Sequence, residues 1–211
     1  TGNLGSAIAR GLRAKGHGLI LGTRAPSDVR IAALCAAVGA TADLPARAAA
    51  ASEAVVLALP WARASEAIQE LGDLSGKIVI DCMNPLGPAG GSFGLVLGYT
   101  DSGAETVQRW LPHARVVKTL NQVGAEIIAD TSALPHRPVQ FLAGDDAVAK
   151  AEVATLLSDL GFEALDAGDI TKARLLEPLA MVWINQALFR NRGRNWALAA
   201  VQFEKGMEGK P

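Results

Sequence analysis

The first residues of the chain have the types and spacing of a phosphate-binding turn. The segment Thr1-Gly2-Asn3-Leu4-Gly5-Ser6 matches the second half of a Gly-x-Gly-x-x-Gly turn that leads directly into a helix. Glycine suits such a turn because backbone in contact with a pyrophosphate leaves no room for a Cβ atom. The N–H groups and the positive dipole end of the helix would face the phosphates, although the start of a helix alone also explains the glycines. The predicted phosphate-binding residues are Thr1, Gly2, Asn3, Leu4 and Gly5.

A hydroxyl and a guanidinium follow about twenty residues later, in the segment Gly22-Thr23-Arg24. A site for NAD usually has an acidic residue here, which binds the ribose 2′-hydroxyl and would repel a 2′-phosphate. A guanidinium instead donates paired, charge-assisted hydrogen bonds to a phosphate. We therefore predict that Thr23 and Arg24 select NADP over NAD; the alternative is that Arg24 is a solvated surface residue.

Three later segments end predicted strands and would face the same cleft, as ligands in α/β sheets bind at the carboxyl ends of strands. They are Leu59-Pro60-Trp61, Asp81-Cys82-Met83-Asn84-Pro85-Leu86 and Lys118-Thr119-Leu120-Asn121. The cofactor-binding residues predicted from these segments are Leu59, Pro60, Asn84, Pro85 and Asn121.

Each of these segments also has a plainer interpretation. The backbone at Leu59 would flank the nicotinamide-side ribose, but the segment is also an ordinary strand-to-helix turn, in which Trp61 packs. Asn84 could bind a ribose or a carboxamide, and asparagine before proline also forms turns. Lys118 is more simply interpreted as a partner in a structural ion pair.

The sequence offers no convincing acid–base pair and no metal site. His17, His113 and His136 all lie in turns or loops, and Cys35 and Cys82 lie in apolar segments without the spacing of metal ligands, as buried thiols do. We therefore predict no catalytic side chain and no metal. Hydride transfer needs neither, because the cofactor carries the chemistry and the protein supplies position and a dry site.

Composition excludes several classes of protein. Half of the residues are hydrophobic and 19% are charged, which favours a folded core over disorder. A formal net charge of −1 gives no basic field for nucleic acid or anionic lipid. No apolar segment approaches the roughly 20 residues of a membrane span, and no signal peptide is evident. We expect a cytoplasmic protein with a small-molecule partner.

Short apolar strands alternate with helical patterns along the chain. The predicted helices cover residues 3–15, 27–38, 45–52, 62–71, 103–111, 123–129, 146–160, 170–189 and 195–205. The predicted strands cover residues 18–22, 54–59, 77–82, 115–120, 139–143 and 162–165. Residues 84–103 contain six glycines and two prolines and are expected to form a loop with little fixed structure of its own.

This alternation predicts an α/β fold with a doubly wound parallel sheet of the Rossmann type. The strand that should precede the glycine turn is missing from the sequence and would be the central one. The polar, proline-marked connection near residues 131–138 predicts two domains, an NADP-binding Rossmann domain over residues 1–135 and a small C-terminal α/β-helical domain over residues 136–211.

The chain resembles the family of NADPH-dependent reductases of the deazaflavin coenzyme F420. The residues that carry the resemblance are Thr-Gly-Asn-Leu-Gly (1–5), Gly-Thr-Arg (22–24), Leu-Pro-Trp (59–61), Asp-Cys-Met-Asn-Pro-Leu (81–86), Ser-Gly-Ala-Glu (102–105), Val-Lys-Thr-Leu-Asn-Gln-Val-Gly-Ala (117–125), Ala-Gly-Asp-Asp (143–146), Asp-Ala-Gly (166–168), Ala-Arg-Leu-Leu-Glu-Pro-Leu-Ala (173–180) and Gly-Arg-Asn-Trp-Ala (193–197). The resemblance implies NADP(H) binding, a small C-terminal domain that closes over the nicotinamide, and a homodimer.

The leading hypothesis is an oxidoreductase that transfers a hydride between NADP(H) and a flavin-like or deazaflavin acceptor, with F420 as one candidate. The alternatives are a non-catalytic NADP-binding sensor or scaffold and a ferric- or flavin-reductase-type domain. A dehydrogenase related to the 3-hydroxyacid enzymes is disfavoured, because those have a longer helical domain that carries a catalytic lysine.

Overall fold

The chain forms an α/β fold, which a computed structural model describes for residues 2–201. The strands are β1 (Ile20–Gly22), β2 (Thr41–Asp43), β3 (Ala54–Leu57), β4 (Ile78–Asp81), β5 (Leu86–Ala89), β6 (Ser92–Leu95), β7 (Arg115–Lys118), β8 (Val139–Ala143) and β9 (Glu163–Gly168). The α-helices are α1 (Asn3–Arg13), α2 (Val29–Val38), α3 (Pro45–Ala50), α4 (Ala64–Gln69), α5 (Gly103–Trp110), α6 (Ala125–Ala129), α7 (Ala147–Asp159) and α8 (Ala173–Ile184). A π-helix, Asn185–Phe189, continues α8.

The main sheet has five strands in the order β3-β4-β7-β8-β9. The pairs β3–β4, β4–β7 and β8–β9 are parallel, and only β7–β8 is antiparallel. All four residues of β4 are buried, as expected for a strand covered by helices on both faces. The predicted doubly wound, mostly parallel fold is confirmed.

The junction between β7 and β8 depends on side chains rather than on a regular ladder. Only Lys118 and Ala143 pair through the main chain. Beyond them, the N–H of Phe141 donates to Gln122 Oε1 at 3.0 Å, and Gln122 Nε2 donates to the Phe141 carbonyl at 3.0 Å. The Gln122 amide thus makes the two hydrogen bonds that the main chain of a neighbouring strand would otherwise make to Phe141. The sheet therefore continues across the predicted domain boundary.

Strands β1 and β2 form a separate parallel pair. Each of β1 and β3 pairs with a strand on one side only, and a groove of about 2230 Å³ lies beside their other edges. Leu21 of β1, Val56 of β3 and Ile8 of α1 are among its lining residues. No strand within residues 2–201 occupies this groove, which lies where the sequence predicts a strand before Thr1.

The prediction of an unstructured loop over residues 84–103 was wrong. Strands β5 and β6 form an antiparallel hairpin, and Gly90 and Gly91, with φ of 54° and 82°, form its turn. A two-residue hairpin turn with positive φ at both positions strongly favours a Gly-Gly pair. The many glycines therefore belong to an ordered hairpin.

Two other predictions differ from the structure. The helix predicted over residues 195–205 is absent from its described part, residues 195–201, where the Leu198 carbonyl instead accepts a hydrogen bond from Val139 N at 2.8 Å. Residues 202–205 lie outside the described part. The helix predicted from residue 27 begins at Val29 instead, because Asp28 caps α2 by accepting the N–H of Arg30. Strand β2 was not predicted because Thr41–Asp43 is short and only partly buried.

Candidate functional site

The N-terminus of α1 has the donors and the space that a phosphate needs. Gly2 is the N-cap in an extended conformation, no side chain among residues 2–201 caps the helix, and the first turn contains no acidic residue. Within the described residues, the first main-chain bond of the helix runs from Ser6 N to the Gly2 carbonyl at 3.1 Å, and the N–H groups of Asn3, Leu4 and Gly5 have no acceptor. A Cβ atom built at Gly2 would meet nothing within 4 Å. Such a helix end fits an anion.

The close packing of α1 is required at Gly11 rather than at Gly5. A Cβ atom at Gly5 would lie 3.8 Å from Ala58 Cβ, an ordinary contact, whereas one at Gly11 would overlap the side chain of Leu160. Gly11 therefore lets the helix approach α7, and Gly5 belongs to the open turn at the helix start.

Thr23 and Arg24 follow the carboxyl end of β1. Thr23 N donates to the Asp43 carbonyl at 2.9 Å, and Thr23 Oγ1 accepts the N–H of Ala25 at 3.3 Å. Arg24 is exposed and forms no salt bridge with any described residue. The nearby Asp28 is bound by Arg30, whose hydrogen bonds lower the pKa of Asp28 to about 2. The guanidinium of Arg24 therefore remains available to a ligand anion.

Most of the predicted cofactor residues that the structure describes line the groove between β1 and β3, at the end beyond the carboxyl ends of these strands and so outside the place of the predicted missing strand. Its lining includes Gly2, Gly5, Thr23, Arg24, Leu59 and Pro60. Thr1 lies outside the described residues. Trp61 stacks on Trp110 with ring centroids 5.6 Å apart, so its side chain packs against α5, as the plainer interpretation proposed.

Asn84 and Asn121 lie together but do not line this groove. Asn84 Nδ2 donates to the Asn121 carbonyl and Asn121 Nδ2 donates to Asn84 Oδ1, each at 2.9 Å. Asn121 also donates to the Leu176 carbonyl at 3.2 Å and accepts from Gln122 Nε2 at 2.9 Å. Their amides thus tie the ends of β4 and β7 to α8. Direct contact of Asn84, Pro85 or Asn121 with a cofactor stays a prediction.

A cluster of three charged side chains, which we call the buried charge cluster, lies beneath these asparagines. It consists of Asp81, Lys118 and Glu177, whose side chains are 0%, 0% and 1% exposed. Lys118 Nζ lies 3.1 Å from Asp81 Oδ2 and 3.0 Å from Glu177 Oε1, and it also donates to the Met83 carbonyl. Burial alone would lower the pKa of Lys118, but the two carboxylates raise it above its usual value.

Glu177 also caps α5. The N–H groups of Gly103 and Ala104 donate to its carboxylate at 3.0 and 3.2 Å. Ser102 completes the cap, because its Oγ accepts the N–H of Glu105 at 3.2 Å and donates to the Glu105 carboxylate at 2.7 Å. Sequence reasoning proposed the ion-pair role of Lys118 but missed Glu177, although an acidic residue in such an apolar helical segment was a usable signal.

The remaining candidate groups form no second site within the described residues. His17 contacts Asp159 at 2.8 Å, and burial raises the pKa of the Cys82 thiol, which makes it inert. Residues 2–201 contain no group of three potential metal ligands. Among the same residues, no helix is both long and apolar enough to cross a membrane.

Known proteins resemble this chain over most of its length. A family model described as NADP oxidoreductase, coenzyme F420-dependent, matches residues 1–85, which include every predicted cofactor residue except Asn121. The crystal structure of a candidate F420-dependent NADP reductase from Arthrobacter sp. FB24 is 36% identical, with a TM-score of 0.85, and the match covers 95% of this chain and 96% of that one.

Two further relatives are more distant. The hypothetical protein SMa0349 from Sinorhizobium meliloti is 27% identical, with a TM-score of 0.70, over 81% of this chain and 83% of its own. The metalloreductase STEAP3 of Rattus norvegicus is 26% identical over 181 residues, which are 86% of this chain. This chain spans only 35% of the length of that curated relative.

Proposed function

The chain belongs to the family of coenzyme F420-dependent NADP oxidoreductases, and from that membership we propose that it transfers a hydride between NADP(H) and a flavin-like or deazaflavin acceptor. It is an NADP-dependent oxidoreductase. In the direction of NADPH oxidation, NADPH supplies a hydride, which is one proton and two electrons, and the acceptor takes a second proton from solvent. The protein contributes by binding, orienting and shielding the reactants.

The observation that carries the proposal is that two anion-binding features share one groove. The N–H groups at the start of α1 suit the diphosphate, and the exposed guanidinium of Arg24 suits the extra 2′-phosphate. Leu59 and Pro60 lie in the same lining and would flank the nicotinamide end. Residues 1–135 supply all of these groups, in agreement with the proposed NADP-binding domain.

We propose that the acceptor binds beside the hairpin β5–β6 and α8, with residues 136–211 covering the nicotinamide. The hairpin contributes Phe93, which is 50% exposed and contacts Phe189 edge-on with centroids 6.4 Å apart. Apolar aromatic surface of this kind suits a flat ring system. Direct transfer requires that ring and the nicotinamide to stack with the reacting carbons roughly 3–3.5 Å apart.

The proposed function is tested by the oxidation of NADPH with different acceptors. We expect oxidation with F420 or FMN, and a change of Arg24→Glu should raise the KM for NADPH roughly tenfold to a hundredfold while that for NADH changes little. Arg137→Glu, which changes the charge of another exposed arginine, is the matched control. Equal losses with NADPH and NADH would contradict the role of Arg24. Tight NADPH binding without turnover would favour the sensor or scaffold.

A ferric chelate is a second candidate acceptor, and the similarity to the metalloreductase STEAP3 favours it. The same assay separates the two candidates, because a ferric chelate accepts single electrons whereas a deazaflavin accepts a hydride. Reduction of two ferric ions per NADPH, with release of NADP⁺ and one proton and without any added flavin or deazaflavin, would support the metalloreductase-type function over the leading proposal.

We also propose a homodimer that is formed through α8. Leu175 and Val182 of α8 are 64% and 56% exposed and lie seven residues apart, so they form a short apolar stripe on one face of the helix. A second copy can bury the same stripe by a two-fold axis. Val182→Glu should therefore convert a dimer to a monomer in light scattering, whereas Val148→Glu on α7, where Val148 is 63% exposed, should not. A wild-type monomer would contradict this proposal.

A further inference from the structure

The buried charge cluster contains two carboxylates and only one ammonium group. Asp81 and Lys118 are partners on adjacent parallel strands, and Glu177 reaches them from α8. All three side chains are essentially inaccessible to solvent. When all three are ionised, the cluster therefore carries one excess negative charge in a medium that screens charge weakly.

The hydrogen bonds favour the ionised form of Glu177. Burial raises its pKa, but each recorded contact of its carboxylate is with a donor, namely Lys118 Nζ and the N–H groups of Gly103 and Ala104. A protonated carboxyl group would place a donor against one of these donors. The positive end of α5 offsets part of the negative charge, because the carboxylate caps that helix.

The other charged groups near the cluster form neutral pairs, so they do not compensate its excess negative charge. Glu105 on α5 pairs with Arg174 on α8 at 2.6 Å. Asp101 pairs with Arg109 at 2.7 Å. Each pair is neutral as a unit, so neither compensates the cluster.

The cluster lies next to the proposed nicotinamide end of the groove. A Cβ atom built at Gly103 would lie 3.0 Å from Glu177 Oε1 and 3.3 Å from both Pro85 Cδ and a ring carbon of Trp61. Trp61 directly follows Pro60, which lines the groove. Lys118 and Asp81 also fix the turn that presents Asn84, because they bind the carbonyl and the N–H of Met83.

We propose that the buried charge cluster makes the site bind the oxidised cofactor, NADP⁺, more tightly than NADPH. The nicotinamide ring is neutral in NADPH and positively charged in NADP⁺, so a nearby buried negative charge stabilises only the oxidised ring. The cluster thereby favours the loss of hydride from the bound cofactor. This inference rests on the proposed function, because it requires that the groove binds NADP(H).

The primary test measures the dissociation constants of NADP⁺ and NADPH for the wild-type chain, without any acceptor. We expect the constant for NADPH to be the larger of the two. For scale, a single charge about 10 Å from the ring would, at an effective dielectric constant of about 20, change a binding constant by roughly tenfold. Tighter binding of NADPH than of NADP⁺ would overturn the inference while leaving the proposed function intact. Failure to bind either form would instead remove the proposed function.

Two variants assign the effect to the cluster. Glu177→Gln and Asp81→Asn each remove one negative charge, and each should lower the ratio of the NADPH constant to the NADP⁺ constant by about fivefold to tenfold. A purely structural role would weaken both forms equally and leave the ratio unchanged. Asp73→Asn removes an exposed charge before the opposite end of β4 and should leave the ratio unchanged.

The measured ratios test the inference even when one of the variants does not fold. A ratio that stays within about twofold of the wild-type value in a folded cluster variant would overturn the inference. Thermal melts identify any variant that fails to fold; the other variant then decides. If both fail to fold, the wild-type ratio decides alone.

Discussion

The N-termini of α1 and α5 differ in how their free N–H groups are satisfied. The first turn of α1 has no side-chain cap, no acidic residue and open space at Gly2. The first turn of α5 is closed, because Ser102 and Glu177 accept its N–H groups. A buried helix end must be satisfied by the protein, as at α5, whereas the start of α1 is exposed and leaves its donors to solvent or to the proposed phosphate.

The difference shows that the N-terminus of a helix does not by itself indicate an anion-binding site, because its N–H groups can be bound by the protein. The free N–H groups of α5 would have made a second anion site beside the proposed nicotinamide end. Glu177 removes that site and uses the same donors to fix α8 against the sheet. The experiments below either break one of the two helix ends or convert one into the other.

The largest expected effect is the loss of stability on changing Glu177→Ala. Three donors lose their acceptor, and Lys118 remains buried with Asp81 as its only carboxylate partner. We expect the free energy of unfolding to fall by about 3–5 kcal/mol in urea titrations. Glu66→Ala, which breaks the exposed pair with Arg63, is the control. A loss below about 1 kcal/mol would show that the cap of α5 is dispensable.

Gly2→Asp would convert the start of α1 into a closed end like that of α5. The new carboxylate can cap the helix, which should stabilise the fold by up to about 1 kcal/mol. The same charge opposes a phosphate, so NADP⁺ should bind roughly a hundredfold more weakly in a fluorescence titration. Gly2→Asn provides the uncharged control, and equal losses for the two variants would indicate a steric rather than an electrostatic effect.

Ser102→Ala tests the smaller half of the α5 cap. The N–H of Glu105 loses its acceptor, while the N–H groups of Gly103 and Ala104 still donate to Glu177. We therefore expect the free energy of unfolding to fall by about 1 kcal/mol. Binding of NADP⁺ should not change. Ser65→Ala, at an exposed serine on α4, should have no effect on stability. Weaker cofactor binding in Ser102→Ala would argue that the two helix ends are coupled.

The smallest expected effect is the pH dependence contributed by Glu105. Hydrogen bonds from Arg174 and Ser102 hold the pKa of Glu105 below its ordinary value of 4.5. A lowered pKa in the folded state gives stability that is present above pH 4.5 and is lost as the pH falls through and below that value. The difference in unfolding free energy between wild type and Glu105→Gln should therefore shrink between pH 6 and pH 4. A difference that is independent of pH would contradict the pKa shift.

Local patterns predicted the elements that depend on local contacts. The apolar spacing of Leu4, Ile8 and Leu12 identified α1, and the continuous apolar segments identified β3 and β4. A Gly-Gly pair between short segments, such as Gly90-Gly91, favours a hairpin, but the density of glycine in residues 84–103 favours a loop and masks that local pattern.

The parts that local patterns did not predict depend on contacts between distant residues. Glu177 contacts residues more than 70 positions away, and nothing in its immediate sequence specifies Gly103 as its partner. Asn84 and Asn121 were correctly expected at the carboxyl ends of two strands, but their hydrogen bonds to each other depend on the register between β4 and β7. Strand β2 is held by its pairing with β1 rather than by its own hydrophobicity.

The amide of Gln122 connects β7 and β8 where the main-chain pairing between the two strands is short. Gln122 donates to the Phe141 carbonyl and accepts from its N–H, the Thr119 hydroxyl donates to the same carbonyl at 2.9 Å, and one main-chain pair connects β7 with β8. Glutamate at this position would lose the donor and leucine would lose both groups, so an amide side chain is needed to make both hydrogen bonds. Because the apolar core continues across this junction, from Val117 of β7 to Leu142 of β8, a change at Gln122 should disturb the alignment of Phe141 without separating the two halves of the sheet.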